Sequence, residues 1–90
     1  RAPFVSGALT LQPPSEEFTV TDFLGFMDQC AAAETVEQVD EALPQGSGWD
    51  THDFEIYRTV ARAHRARING KREPEEVTVF LDEIKAWVLA

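Results

Sequence analysis

His52, Asp53 and His64 are the residues whose types could support acid–base chemistry. An imidazole exchanges protons near neutral pH, and a neighbouring carboxylate can orient it. Some metal-dependent hydrolases use an adjacent His-Asp pair, but they need further His and Asp ligands, and this sequence offers no second pair. The two histidines are twelve residues apart, which misses the i, i+4 spacing that puts two ligands on one helical face. We interpret His52 as a helix-start residue and His64 as a residue at the edge of the core.

The other candidates for chemistry are equally weak. Cys30 lies among Phe26, Met27 and Ala31, with no neighbouring His or cation in the sequence to lower its pKa, so it is typical of a small buried hydrophobe. The stretch 46–48 is Gly-Ser-Gly but lacks the Lys and the preceding strand of a phosphate-binding loop. The sequence therefore predicts no enzyme, no catalytic residue, no metal site and no cofactor.

Basic residues are concentrated in one segment of an acidic chain. The net charge is −8, yet six of the eight Lys and Arg residues fall within fifteen positions. They are Arg58, Arg62, Arg65, Arg67, Lys71 and Arg72. The first three follow the spacing i, i+4, i+7, so they share one side of a helix, which we call the basic ridge.

Three partners could answer to this positive charge. Phosphate attraction dominates nucleic-acid affinity, and an arginine can grip phosphate or a base edge with two bonds. An acidic face of another protein is the second possibility. The third is the chain's own carboxylates, among them Glu55, Glu73, Glu75 and Glu76. The sequence favours internal pairing over a protein partner, and a protein partner over nucleic acid, because the net charge of −8 repels phosphate at long range.

Two further surfaces are candidates for contact with a partner. Trp49 stands in a probable loop, where it is either an interface anchor or, more commonly, a lid on the core. Acidic residues crowd positions 34–41 and could imitate a row of phosphates, as an inhibitor of a DNA-binding enzyme would, although solvated helix faces account for them more simply. A helix-turn-helix is disfavoured, because the connection from Pro44 to Asp50 is longer than the turn of that motif.

Apolar spacing and capping signals predict the elements that carry these residues. Positions 1–18 contain three of the five prolines and predict an arm without helix, with residues 19–90 as one helical domain. Apolar residues at three- and four-residue spacings predict helices over about 21–33, from a Thr35-to-Gln38 capping box to Leu43, over about 51–68, and from Pro74 onward. Asn69-Gly70 is typical of a helix C-terminus.

These observations predict a fold class and a broad function. The fold is an all-α bundle of about four helices with an extended N-terminal arm. A single cysteine and the lack of an apolar run long enough to cross a bilayer favour a cytoplasmic location and no membrane contact. We expect a small, acidic, non-catalytic module for protein–protein interaction, either as a homodimer or with another protein. Trp49 and the six basic residues are its candidate contact residues, and a nucleic-acid accessory protein is the main alternative.

Overall fold

The protein folds as a bundle of four α-helices in a computed structural model that describes residues 13–45 and 50–89. The helices are α1 (Val20–Ala32), α2 (Val36–Ala42), α3 (Thr51–Ile68) and α4 (Pro74–Leu89). The described residues contain no strand, which confirms the prediction of an all-α bundle. Positions 1–12 of the predicted arm lie outside the described residues, as does Trp49.

Local signals define where each helix starts. The Thr35 side chain accepts a hydrogen bond from the Gln38 N–H at 3.2 Å, and the Gln38 side chain accepts from the Thr35 N–H at 3.3 Å, so the predicted capping box is confirmed. Asp50 caps the start of α3, because its carboxylate accepts hydrogen bonds from the N–H groups of His52 and Asp53.

The end of α3 is closed by the predicted Asn-Gly pair. Gly70 has a φ of 73°, a left-handed conformation that glycine adopts without a steric penalty. The N–H groups of Lys71 and Arg72 then donate hydrogen bonds to the Ala66 carbonyl, which lies in the last turn of α3 and would otherwise lack a hydrogen-bond donor. This tight turn brings the start of α4 beside the end of α3.

The core lies between α1, α3 and α4, with Val39 contributed by α2. The aromatic rings of Phe18, Phe23, Phe26 and Tyr57 form a cluster in which Phe26 and Tyr57 have their centroids 4.8 Å apart. Such tilted ring pairs stabilise a fold by about 0.5–1.5 kcal/mol beyond the burial of their area. Phe18 precedes α1, so this cluster also holds the chain segment that enters the bundle.

Candidate functional site

The three arginines of the basic ridge all face carboxylates of their own chain. Arg58 and Arg62 share Glu55, which lies 3.7 Å from the Arg58 Nη1 and forms a short bond with the Arg62 Nη2. Arg65 bonds Asp40 through its Nε, at 3.0 Å, and through its Nη2. The three guanidinium side chains nevertheless stay between 37% and 52% exposed. Exposed pairs of this kind contribute only about 0–1 kcal/mol each, so they leave the arginines available to a stronger anion.

Asp40 gives the Arg65 pair a second role, because it belongs to α2. This contact joins the acidic helix to the basic one across the bundle. One of the carboxylates in the acidic segment 34–41 is therefore occupied by a guanidinium. Glu73, Glu75 and Glu76 were also predicted as partners, but in the part of the chain that the structure describes they form no ion pair with the ridge. Glu76 instead accepts a hydrogen bond from the Glu73 N–H at 3.4 Å.

Arg67 lies apart from the ridge and is half-buried. Its Nε donates to His64 Nδ1 at 3.2 Å, and its Nη2 donates to the carbonyls of Cys30 and Ala33 at 3.4 and 3.3 Å. Those carbonyls are at the C-terminus of α1, where unpaired C=O groups carry partial negative charge. Every partner of Arg67 in the described part of the chain is therefore neutral, and no carboxylate balances its charge.

The remaining basic residues of the segment are outside the helices. Lys71 and Arg72 lie in the turn between α3 and α4, and both are exposed. The six basic residues thus form three groups with different surroundings: the ridge on α3, Arg67 against α1, and the pair in the turn. Trp49 lies outside the described residues, so its role as a contact residue stays a prediction.

His64 is a core residue rather than the boundary residue that we expected, since only 3% of it is exposed. Arginine can only donate hydrogen bonds, so the bond from Arg67 requires His64 Nδ1 to be the acceptor and places the ring proton on Nε2. Nε2 is buried and has no hydrogen-bond partner among the described residues. Burial, followed by the Arg67 charge, lowers the pKa of His64 to about 4. The ring is therefore uncharged at neutral pH.

Cys30 is fully buried, as predicted, and its backbone carbonyl accepts a hydrogen bond from Arg67. Burial raises the pKa of its thiol to about 11, although the Arg67 charge acts in the opposite direction. The thiolate needed for nucleophilic attack is therefore scarce at neutral pH. Among residues 13–45 and 50–89, no three His, Cys, Asp or Glu side chains form a group that could hold a metal ion.

Asp53 has a contact that sequence reasoning missed. It is 3% exposed, and it accepts hydrogen bonds from the Ser15 N–H at 2.8 Å and from the Ser15 hydroxyl. Its neighbour His52 packs edge-on against Trp87, with ring centroids 6.5 Å apart. The two residues of the His52-Asp53 pair therefore make separate structural contacts: His52 packs against α4, and Asp53 bonds the segment before α1.

The solvent side of α4 carries the two large apolar side chains that are most exposed in the described part of the chain. Val79 is 54% exposed and Leu89 is 53% exposed. Together with the exposed Ala86 they follow the spacing i, i+7, i+10, so they lie on one side of the helix. Asp82 lies within this strip and Lys85 lies at its edge, and neither forms an ion pair within the described residues. We call these five residues the α4 outer face.

Comparison of the chain with protein-family models, with curated proteins and with solved structures finds no match in any of the three. In the described ranges, none of the helices has both the length and the apolar character that crossing a bilayer requires.

Proposed function

We propose that this chain is a non-catalytic protein–protein interaction domain that associates with a second copy of itself through the α4 outer face. The observation that carries the proposal is the exposure of Val79 and Leu89, each more than half accessible on one side of one helix. Burying such side chains against a partner is favourable by roughly 25 cal/mol per Å² of apolar area removed from water.

The spacing of the α4 outer face suits an antiparallel pairing of two copies. If the two helices cross near position 84, Val79 of each copy lies opposite Leu89 of the other. The small Ala86 side chain lies near the crossing, where it permits close approach. A two-fold interface needs one surface that is complementary to itself. This arrangement meets that need, because it buries Val79 and Leu89 of both copies.

Charge supports the same register. In the antiparallel arrangement Lys85 of each copy lies beside Asp82 of the other, so two reciprocal ion pairs form across the axis. A parallel arrangement would put like residues side by side, and like charges in contact are unfavourable. The face is small compared with a stable interface of about 1,200–2,000 Å², so we expect a weak dimer.

The positions of the reactive residue types support a non-catalytic role. His64 and Cys30 are buried and have pKa values that disfavour acid–base and nucleophilic chemistry at neutral pH. Asp53 is occupied by Ser15. A single buried thiol also agrees with a reducing compartment, so we propose the cytoplasm as the location.

Sedimentation equilibrium over a range of concentrations tests the dimer. We expect the wild-type mass to rise with concentration and Val79→Glu to stay monomeric. Ala32→Glu is the matched control, because it adds the same charge at an exposed helical position on α1. A wild-type chain that remains monomeric at millimolar concentration would contradict self-association.

A charge exchange tests the register. Asp82→Lys and Lys85→Asp should each weaken the dimer, and the double variant should restore it. If the double variant is no tighter than the single variants, the antiparallel register is wrong.

A second candidate, nucleic-acid binding by the basic ridge, is supported by the sharing of Glu55. One carboxylate faces both Arg58 and Arg62, so this trio keeps a net positive charge. Binding of a short DNA duplex at low salt should then fall steeply as salt rises, and Arg62→Glu with Arg65→Glu should abolish it. Asp28→Asn with Glu34→Gln, on exposed positions away from the ridge, is a control that leaves the arginines intact.

A further inference from the structure

A groove of about 330 Å³ lies between α1, α3 and α4; it is separate from the basic ridge and shares Asp82 with the α4 outer face. Its walls include the apolar side chains of Ala31, Pro74, Val77 and Leu81, together with Thr78. Three residues of other character complete the lining: Arg67, His64 and Asp82. The volume falls in the range of small-molecule sites, which is roughly 300–1,000 Å³.

Arg67 gives this groove a fixed positive charge. Its guanidinium is held by three acceptors, which are His64 Nδ1 and the carbonyls of Cys30 and Ala33. None of these acceptors is charged, whereas all three ridge arginines have a carboxylate partner. A half-buried cation in partly apolar surroundings attracts an anion more strongly than an exposed one, because the local dielectric is lower.

His64 adds a second unsatisfied group to the same lining. Only 3% of the residue is exposed, and its Nε2–H has no hydrogen-bond partner among the described residues. The lining of the groove therefore includes a cation without a carboxylate partner and a residue with an unpaired donor. Both favour a ligand group that accepts hydrogen bonds and carries negative charge.

We propose that the groove binds a small monocarboxylate with a short apolar chain, its carboxylate on Arg67 and its chain along Val77 and Leu81. Asp82 determines the orientation and the selectivity. Arg67 is in the last turn of α3 and Pro74 begins α4, so the cationic end of the groove is near Pro74. Asp82 lies about 12 Å further along α4, at a rise of about 1.5 Å per residue, and it disfavours a second negative charge at that end.

Titration with hexanoate, followed by amide and Arg67 side-chain signals in heteronuclear NMR, tests the site. We expect saturable shifts at Val77, Thr78, Leu81 and the Arg67 Nε–H, and no saturable shift with hexan-1-ol. Saturation by the alcohol with equal affinity would mean that the groove is merely apolar and would overturn the carboxylate proposal. A lack of saturable shifts with hexanoate would overturn the site itself.

Ala31→Glu places a carboxylate in the groove beside Arg67 without altering a core residue, because Ala31 is exposed on the last turn of α1. It should weaken hexanoate binding by at least about tenfold. Ala32→Glu is the matched control: it adds the same charge at the next exposed position, whose side chain does not line this groove, and it should change the affinity by less than about twofold. Equal affinities for the two variants would contradict a site at Arg67.

Selectivity provides an independent measurement. Adipate, the dicarboxylate of the same chain length, should bind the wild type at least about tenfold more weakly than hexanoate, and Asp82→Asn should reduce that difference.

Discussion

His64 shows how one buried side chain can make the stability of a small domain depend on pH. Its pKa is lowered to about 4 from an ordinary value of 6.5, first by burial and then by the Arg67 charge. Below pH 6.5 the unfolded chain takes up a proton that the folded chain refuses until about pH 4. The neutral His64 ring therefore makes its full contribution to the free energy of unfolding above pH 6.5. That contribution is lost as the pH falls from 6.5 towards 4.

We predict that this effect lowers the free energy of unfolding by about 2 kcal/mol between pH 6.5 and 5, because each pH unit in the window is worth about 1.36 kcal/mol. Urea unfolding at several pH values, measured on the wild type and on His64→Gln, isolates the contribution. Both proteins share the titration of their carboxylates, and the Gln side chain can still accept a bond from Arg67. Identical pH dependence in the two proteins would contradict the assignment to His64.

The division of the basic residues could have been predicted from spacing alone. Arg67 is nine positions after Arg58, which at about 100° per residue places them on opposite sides of α3. Arg67 is also three residues after His64, which lies on the buried side of α3. Arg67, Lys71 and Arg72 were predicted as contact residues together with the ridge because they are close to it in the chain, and proximity in the chain does not specify a side of a helix. The partners of Arg67, at the end of α1, are set by packing and leave no local signal.

Elements of the fold were predictable where the determining interactions are local. The capping box at Thr35, the Asn69-Gly70 ending and the start at Pro74 depend on residues within a few positions, and the observed helices begin and end there or within one residue of the prediction. The Ser15 anchor is different. Asp53 lies four residues before Tyr57, so its place on the buried side of α3 was readable, but its partner is 38 residues away in the chain.

This anchor is a polar contact between the segment before α1 and α3. We predict that Ser15→Ala lowers the free energy of unfolding by about 1–2 kcal/mol, because the buried Asp53 carboxylate loses the hydroxyl donor while keeping the backbone N–H. Urea unfolding followed by circular dichroism measures the change. Ser15→Thr keeps a hydroxyl and should stay close to wild type. A Ser15→Ala protein as stable as the wild type would show that the hydroxyl bond makes no net contribution.

At the scale of the whole molecule, the net charge affects self-association and nucleic-acid binding in different ways. Each copy carries a net charge of −8, so two copies repel each other at long range, while phosphate is also repelled except close to the basic ridge. The proposed dimer relies on apolar contacts of Val79 and Leu89, with only two exposed ion pairs across the axis. The repulsion between net charges should therefore outweigh the attraction within those pairs, which contribute about 0–1 kcal/mol each.

Self-association and nucleic-acid binding should therefore respond to salt in opposite directions. Raising the ionic strength from about 0.01 M to 0.15 M shortens the Debye length from about 30 Å to 8 Å and screens the repulsion between copies, so self-association should strengthen. Nucleic-acid binding should weaken over the same range, because salt reduces the gain from releasing counterions. Sedimentation at the two ionic strengths, with Val79→Glu as the monomeric reference, measures the first effect. A dimer that dissociates as salt rises would mean that ion pairs, and not the apolar strip on α4, hold the two copies together.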